Sequence, residues 1–210
     1  MNNIMNLTKM SLINFKAILK QVGIIIIMWL FVSAINPSFI GALSSMITIV
    51  GVPQLMSYED VSGIDNLIGV IPVKRSEYVI SRYVIGIITM ISSILIVSVI
   101  YHIIEVDINL DLLLTTVILS STLIISMLIP AMIKYGAIKG KFITMAITLA
   151  TIFCSMPIVD ILQNPSKQLK NIIDYINNIN PLIVSIIISI LTILISMIIS
   201  IKIYDKKEFK

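Results

Sequence analysis

The sequence predicts an all-α membrane protein: six transmembrane helices, both termini cytoplasmic, in one membrane domain covering residues 1–210. Three observations carry this expectation. Charge-free stretches dominate the chain; 58% of residues are hydrophobic and only 12% charged, against about 25% charged in soluble domains; and the basic residues fall in alternate loops. A spanning helix needs about 20 predominantly apolar residues. The charge-free runs lie between Lys20 and Glu59, Arg82 and Glu105, Asp111 and Lys134, Lys141 and Asp160, and Asp174 and Lys202. The first is long enough for two spans. Its turn is expected at Asn36-Pro37-Ser38, where proline lacks an amide donor and resists helix continuation. Hydrocarbon leaves no partner for an unpaired backbone group, so these runs read as helices despite their isoleucine content.

Lysine and arginine concentrate in loops that stay cytoplasmic. Lys9, Lys16 and Lys20 precede span one; Lys74, Arg75 and Arg82 lie between spans two and three; Lys134, Lys139 and Lys141 join four to five; Lys202, Lys206, Lys207 and Lys210 follow span six. Of the 15 basic residues, only Lys167 and Lys170 fall on the other side, with Glu105, Asp107, Asp111, Asp160 and Asp174. The net charge of +4 is thus a topology signal that requires no nucleic acid. Val32-Ser33-Ala34 resembles a signal-peptide cleavage site, but removing the first span would spoil the charge alternation. Cys154 is the only cysteine and cannot form an intrachain disulfide.

Three segments outside the spans carry further information. Residues 1–20 read as an interfacial amphipathic helix, with Ile4, Leu7, Leu12, Phe15, Ile18 and Leu19 on one side, Lys9, Lys16 and Lys20 opposite, and Ile13 breaking the pattern. Residues 57–76 form the richest loop. Tyr58-Glu59-Asp60 opens it, Ser62 and Asp65 match a capping box, Ile64, Leu67, Ile68 and Ile71 recur at helical spacing, and Pro72 closes the element. A second helix is expected to start near Lys74 and run through Glu77 and Arg82 into span three. On physical grounds the loop reads equally as a hairpin resting on lipid headgroups or as a docking element. Residues 164–179 read as an external amphipathic helix, with Asn164 as N-cap, Pro165 at the first position, and Leu169, Ile172, Ile173 and Ile176 at helical spacing.

No catalytic chemistry is legible. The sequence contains no G-x-x-x-x-G-K-[ST] loop, H-E-x-x-H helix or G-x-S-x-G elbow. His102 beside Glu105 lacks the further ligands a metal would need. No predicted span carries a central charge of the kind ion-coupled carriers use. Pro130 and Pro157 lie toward span ends. Ser33, Ser44, Ser45, Ser92, Ser93, Thr148, Ser185 and Ser189, with Gly41 and Gly51, read as helix-packing positions.

The run YEDVSGIDNLIGVIPVKRSEYVISRYV, from Tyr58 to Val84, resembles the cytoplasmic segment of type-2 permeases of ATP-binding-cassette exporters. Glu59 stands at the acidic position after span two, Ile71-Pro72-Val73-Lys74-Arg75 at the proline step, and Val79-Ile80-Ser81-Arg82-Tyr83 at the start of span three. One departure is Arg82, where the family usually has lysine. Ser200 to Phe209 resembles the family's closing motif. The resemblance implies a non-enzymatic cell-membrane subunit without cofactor, paired with itself or a sister permease and driven by separate ATPase subunits. It implies that Tyr58, Glu59, Asp60, Ser62, Ile64, Asp65, Leu67, Ile68 and Ile71 form the ATPase-coupling interface. Apolar walls without buried charge favour an amphipathic or hydrophobic substrate, a membrane-active peptide such as a phenol-soluble modulin or antimicrobial peptide fitting best. The alternative from another class is a non-transporting immunity protein that sequesters a bacteriocin.

The basic asymmetry generates a direct test. In a Cys154→Ser background, single cysteines replacing Asn3, Lys139 or Lys207 are expected to resist an impermeant thiol reagent in intact cells, and one replacing Lys170 to react; external labelling at position 139 would overturn the topology.

Overall fold

The computed structural model describes residues 2–35, 40–64, 73–103, 109–163 and 180–206. They form five helices and, among the described residues, no strand: α1 (Asn2–Ile35), α2 (Ile40–Val61), α3 (Arg75–Ile103), α4 (Leu110–Gln163) and α5 (Pro181–Asp205). Gly136 breaks α4 with φ 73° and ψ −179°, a conformation open to glycine because it has no Cβ. The first limb of α4 therefore ends before the second, 137–163, restarts. Four described stretches are long and apolar enough to cross a membrane: Asn3–Ile35, Arg75–Ile103, Leu110–Gly136 and Pro181–Asp205. The expected turn at Asn36-Pro37-Ser38, the external helix at 164–179, and Asp65, Leu67, Ile68 and Ile71 lie outside the described residues.

The helix starts are set by local chemistry. Glu77 reaches back to the Lys74 amide (3.0 Å), half of a capping box, so α3 begins where the sequence places it. Asn109 accepts from the Asp111 amide (3.0 Å) ahead of α4. Asn180 accepts from the Leu182 amide (3.2 Å), with Pro181 at the first turn of α5.

The first limb of α4 is the centre of the bundle. Val117, Ile118, Ile124, Ile125, Leu128, Ile129, Met132 and Ile133 are all buried and recur every three to four residues, a helical face. Around it gather Leu7 of α1, Val52 and Met56 of α2, Val79 and Tyr83 of α3, and Ile193 and Tyr204 of α5. A second cluster joins Val97 and Ile100 of α3 to Leu113 and Val117 of α4, and a third joins Ile18 and Val22 of α1 to Leu55 and Ile85. The would-be Cβ of Gly86 lies 3.1 Å from Ile125 Cγ2, so glycine lets α3 approach α4 closely.

The polarity of α5 is inside out. Ser185, Ser189, Ser196 and Ser200 are buried, whereas Ile183, Ile187, Ile190, Leu191, Ile195 and Ile198 are exposed. Lipid is as apolar as isoleucine, so small and hydrogen-bonding residues, rather than large apolar ones, mark the faces where membrane helices meet. Thr122 donates to Ser189 (2.9 Å). The Ser196 hydroxyl donates to the Ser126 carbonyl (2.7 Å), and its one proton is then committed. Tyr83 therefore donates to Ser196 (2.6 Å) and accepts from Ser200 (2.8 Å). Each such bond is worth about 0.6 kcal/mol on average, and the chain of them fixes the rotation of α5 against α3 and α4.

The structure adds to two expectations. Segment 1–20 continues into the first span without a break: every residue from Asn2 to Ile35 is helical. The apolar face assigned to lipid is instead divided. Leu7 and Ile18 are buried in line with Ser11 and Val22, whereas Leu12, Ile13 and Leu19 are exposed. The stripe that selects the protein-facing side includes polar Thr8, Ser11 and Asn14, whose partners lie on α2, α3 and α1 itself.

The second concerns the start of the segment 57–76. Tyr58-Glu59-Asp60 belongs to the last turn of α2 rather than to a loop. Ser62 completes that end, its amide (3.0 Å) and hydroxyl (2.7 Å) both donating to the Tyr58 carbonyl. The Gly63 amide donates to Asp60 (3.1 Å), and its φ of 70° is the left-handed conformation that commonly ends helices.

Candidate functional site

One face of the bundle collects the N-terminus, the end of α2, the start of α3, the Gly136 break and the end of α5; it is called the terminal face here. At its centre Glu59 and Arg82 form an ion pair with side chains 1% and 2% exposed. The pair is completed by α1. Asn14 donates to Glu59 Oε1 (3.1 Å), and Arg82 donates to the Ser11 hydroxyl (2.7 Å). The Arg82 guanidinium also lies over the Tyr78 ring, 4.3 Å from its centroid, a cation–π arrangement. Tyr78 in turn packs on Tyr204 of α5, with ring centroids 5.1 Å apart.

This geometry explains the departure at Arg82. A guanidinium presents five donors in a planar fork and stacks on aromatic faces, so one side chain serves the carboxylate, the serine and the tyrosine ring. Lysine offers a point charge. Two further polar links brace the same face. Asn3 donates to Glu77 (3.1 Å), and Arg75 donates to the Asp205 carbonyl (2.6 Å), a cation at the negative end of α5. Asp60 approaches the break in α4, its Oδ2 3.5 Å from a Cβ built on Gly136.

Beside this network, a cavity of about 870 Å³ opens between α1, α2 and the second limb of α4. Its volume is within the range of small-ligand sites, about 300–1,000 Å³. Ile25, Ile49, Val50, Met145 and Leu149 supply apolar wall; Gln21, Gln54, Ser57 and Thr144 supply polar groups. Among the described residues, no charged side chain lines it. Ser57, Tyr58, Val61 and Ser62, the end of α2, border it as well.

A family model for ABC-2 family transporter proteins matches residues 6–205. The chain belongs to this family. No curated protein and no solved structure matches it. As an ABC-2 family member it is a membrane permease of an ABC transporter, the transport subunit that works with ABC ATPase subunits.

The structure sorts the residues expected to couple this ABC-2 permease to its ATPase. Tyr58 is 41% exposed, Ser62 is exposed, and Asp60 and Ile64 are half-buried. Glu59 faces the opposite way, into the protein, so its carboxylate contacts Arg82 and Asn14. Glu59→Lys would set two cations against each other inside the bundle, and loss of function in that variant would report folding rather than docking. Asp65, Leu67, Ile68 and Ile71 lie outside the described residues. Sequence reasoning missed Ser11 and Asn14, although polar residues three apart on the inward stripe of α1 are a readable signal. It also missed the cavity and Pro53, an interior helix proline.

Removing one member of a buried pair strands the other, at about 3–5 kcal/mol, whereas apolar replacement of both is often neutral. Glu59→Leu and Arg82→Leu are each expected to destabilise the detergent-solubilised protein by about that amount, and the double variant to recover most of the loss, as measured by denaturant unfolding. A double variant as unstable as the two losses combined would contradict the pairing.

Proposed function

We propose that this ABC-2 permease is a six-span, multi-pass subunit of the cell membrane that exports an amphipathic or hydrophobic substrate, a membrane-active peptide fitting best. α2 and the second limb of α4 supply the two spans beyond the four whose length and apolarity qualify them. The terminal face is cytoplasmic. Two permeases, identical or sister, pair with two separate ATPase subunits, which dock on the segment running from Tyr58 to Ile71. The contacting residues are Tyr58, Asp60, Ser62, Ile64, Asp65, Leu67, Ile68 and Ile71; Glu59 anchors the segment from inside.

The observation that carries this reading is the shared wall. Tyr58, Val61 and Ser62 border the cavity, and they also lie at the start of the docking segment. A displacement of that segment therefore changes the space a substrate would occupy. The ion pair fastens the ends of α1, α2 and α3 together, whereas the second limb of α4 is joined to the first through Gly136. ATP-driven closure of the ATPases moves the fastened wall against the hinged one and expels the contents. No observation favours the immunity alternative.

Leu67→Asp tests the docking assignment. A carboxylate forced into an apolar cleft costs more than the ~1–3 kcal/mol of a neutral polar group, a loss of roughly tenfold or more in affinity. The variant is expected to reach the membrane at normal abundance, lose co-purifying ATPase and lose peptide export. Full retention of both partner and export would leave the segment as a loop resting on headgroups and overturn the docking assignment.

A further inference from the structure

Pro53 is an interior residue of α2, and its ring nitrogen carries no hydrogen. The carbonyl four residues earlier, on Ile49, is thereby deprived of its helical donor. Residues i and i+4 share one face of a helix, and here that face is the cavity wall: Ile49 and Pro53 both line it. In hydrocarbon an unmatched backbone acceptor must be satisfied by a neighbour, by water or by a ligand. The lining thus includes a residue whose carbonyl lacks its i+4 donor, and one to two turns nearer the terminal face it includes Gln54 and Ser57, with Gln21 on α1.

We infer that this cavity is a recognition site for an uncharged, amide-bearing stretch of an amphipathic peptide, with the Ile49 carbonyl exposed by Pro53, together with Gln54 and Gln21, as its specificity determinants. The inference rests on the proposed export function and adds where the substrate sits and what reads it. The described lining residues favour an uncharged occupant, since none of them carries a charge to compensate an ion removed from water. A lipid tail would find apolar wall here but would leave the two glutamine side chains and the freed carbonyl without partners. A peptide segment satisfies both requirements. Its side chains cover Ile25, Val50 and Leu149, and its amides or hydroxyls donate to and accept from the polar groups. Buried polar groups left unmatched by the wrong ligand discriminate more strongly than missing apolar contact.

The test uses the permease co-purified with its ATPase in nanodiscs, with Met145→Cys in a Cys154→Ser background carrying an environment-sensitive fluorophore at the cavity wall. The probes are a short uncharged amphipathic helical peptide and a monoacylglycerol. The peptide is expected to give a saturable signal. Pro53→Ala restores the helical donor and is compatible with folding. It should weaken peptide binding roughly three- to tenfold, the worth of one hydrogen bond, and Gln54→Leu should do the same; neither should change the monoacylglycerol signal. Equal binding of both probes, or peptide binding untouched by both variants, would overturn the inference. Loss of peptide binding with the ATPase still bound and hydrolysing ATP in every preparation supports it, whereas no saturable peptide signal in the unsubstituted protein sinks it without touching the docking assignment. Failure of the ATPase to co-purify at all would instead count against the proposed function.

Discussion

The buried pair of Glu59 and Arg82 is the constraint on which the arrangement of the terminal face depends. Two charges removed from water incur several kcal/mol each, repaid only when geometry and additional hydrogen bonds are good. Neither α2 nor α3 can provide that alone. Glu59 sits in the last turn of α2 and Arg82 in the second turn of α3, and α1 must lie across both for Asn14 and Ser11 to complete the set. The continuous α1 follows from this requirement: a helix that left the protein at Lys20 to rest on headgroups would withdraw two partners from buried charges.

Away from that face, cohesion has a different source. Burial of apolar surface gives little between helices already in lipid, so packing density and polar contacts decide which faces meet. Gly86 against Ile125 supplies the first. The run from Ser200 through Tyr83 and Ser196 to the Ser126 carbonyl supplies the second. The same physics leaves the isoleucines of α5 facing outward, where a soluble protein would bury them.

Much of this was legible in the sequence because it depends on local chemistry. Charge-free runs mark the helices, Glu77 marks the start of α3, and mid-span serines such as Ser93, Ser185 and Ser189 mark contacts between helices; all three are buried. The role of Glu59 was not legible, since an acidic residue flanked by Tyr58 and Asp60 looks like the beginning of a solvated loop. Only the rotation of the last α2 turn turns Glu59 inward and Tyr58 outward. The amphipathic pattern of α1 was equally ambiguous. Leucine is acceptable to lipid and to protein alike, and the decision fell to Ser11 and Asn14. Proline at position 53 sits within a charge-free run whose periodicity it does not disturb, so its consequence emerges only once the neighbouring helices enclose Ile49.

In the proposed mechanism the cavity lies between a wall held by the ion pair and a wall hinged at Gly136. Distances between spin labels measure this directly, using Lys9→Cys with Val61→Cys, and Val61→Cys with Lys139→Cys, in a Cys154→Ser permease bound to its ATPase. All three positions are exposed. On ATP binding the first distance should stay constant and the second should change. A first distance that changes as much as the second would contradict the account, because α1 and α2 would then move apart across the pair that is held to fasten them.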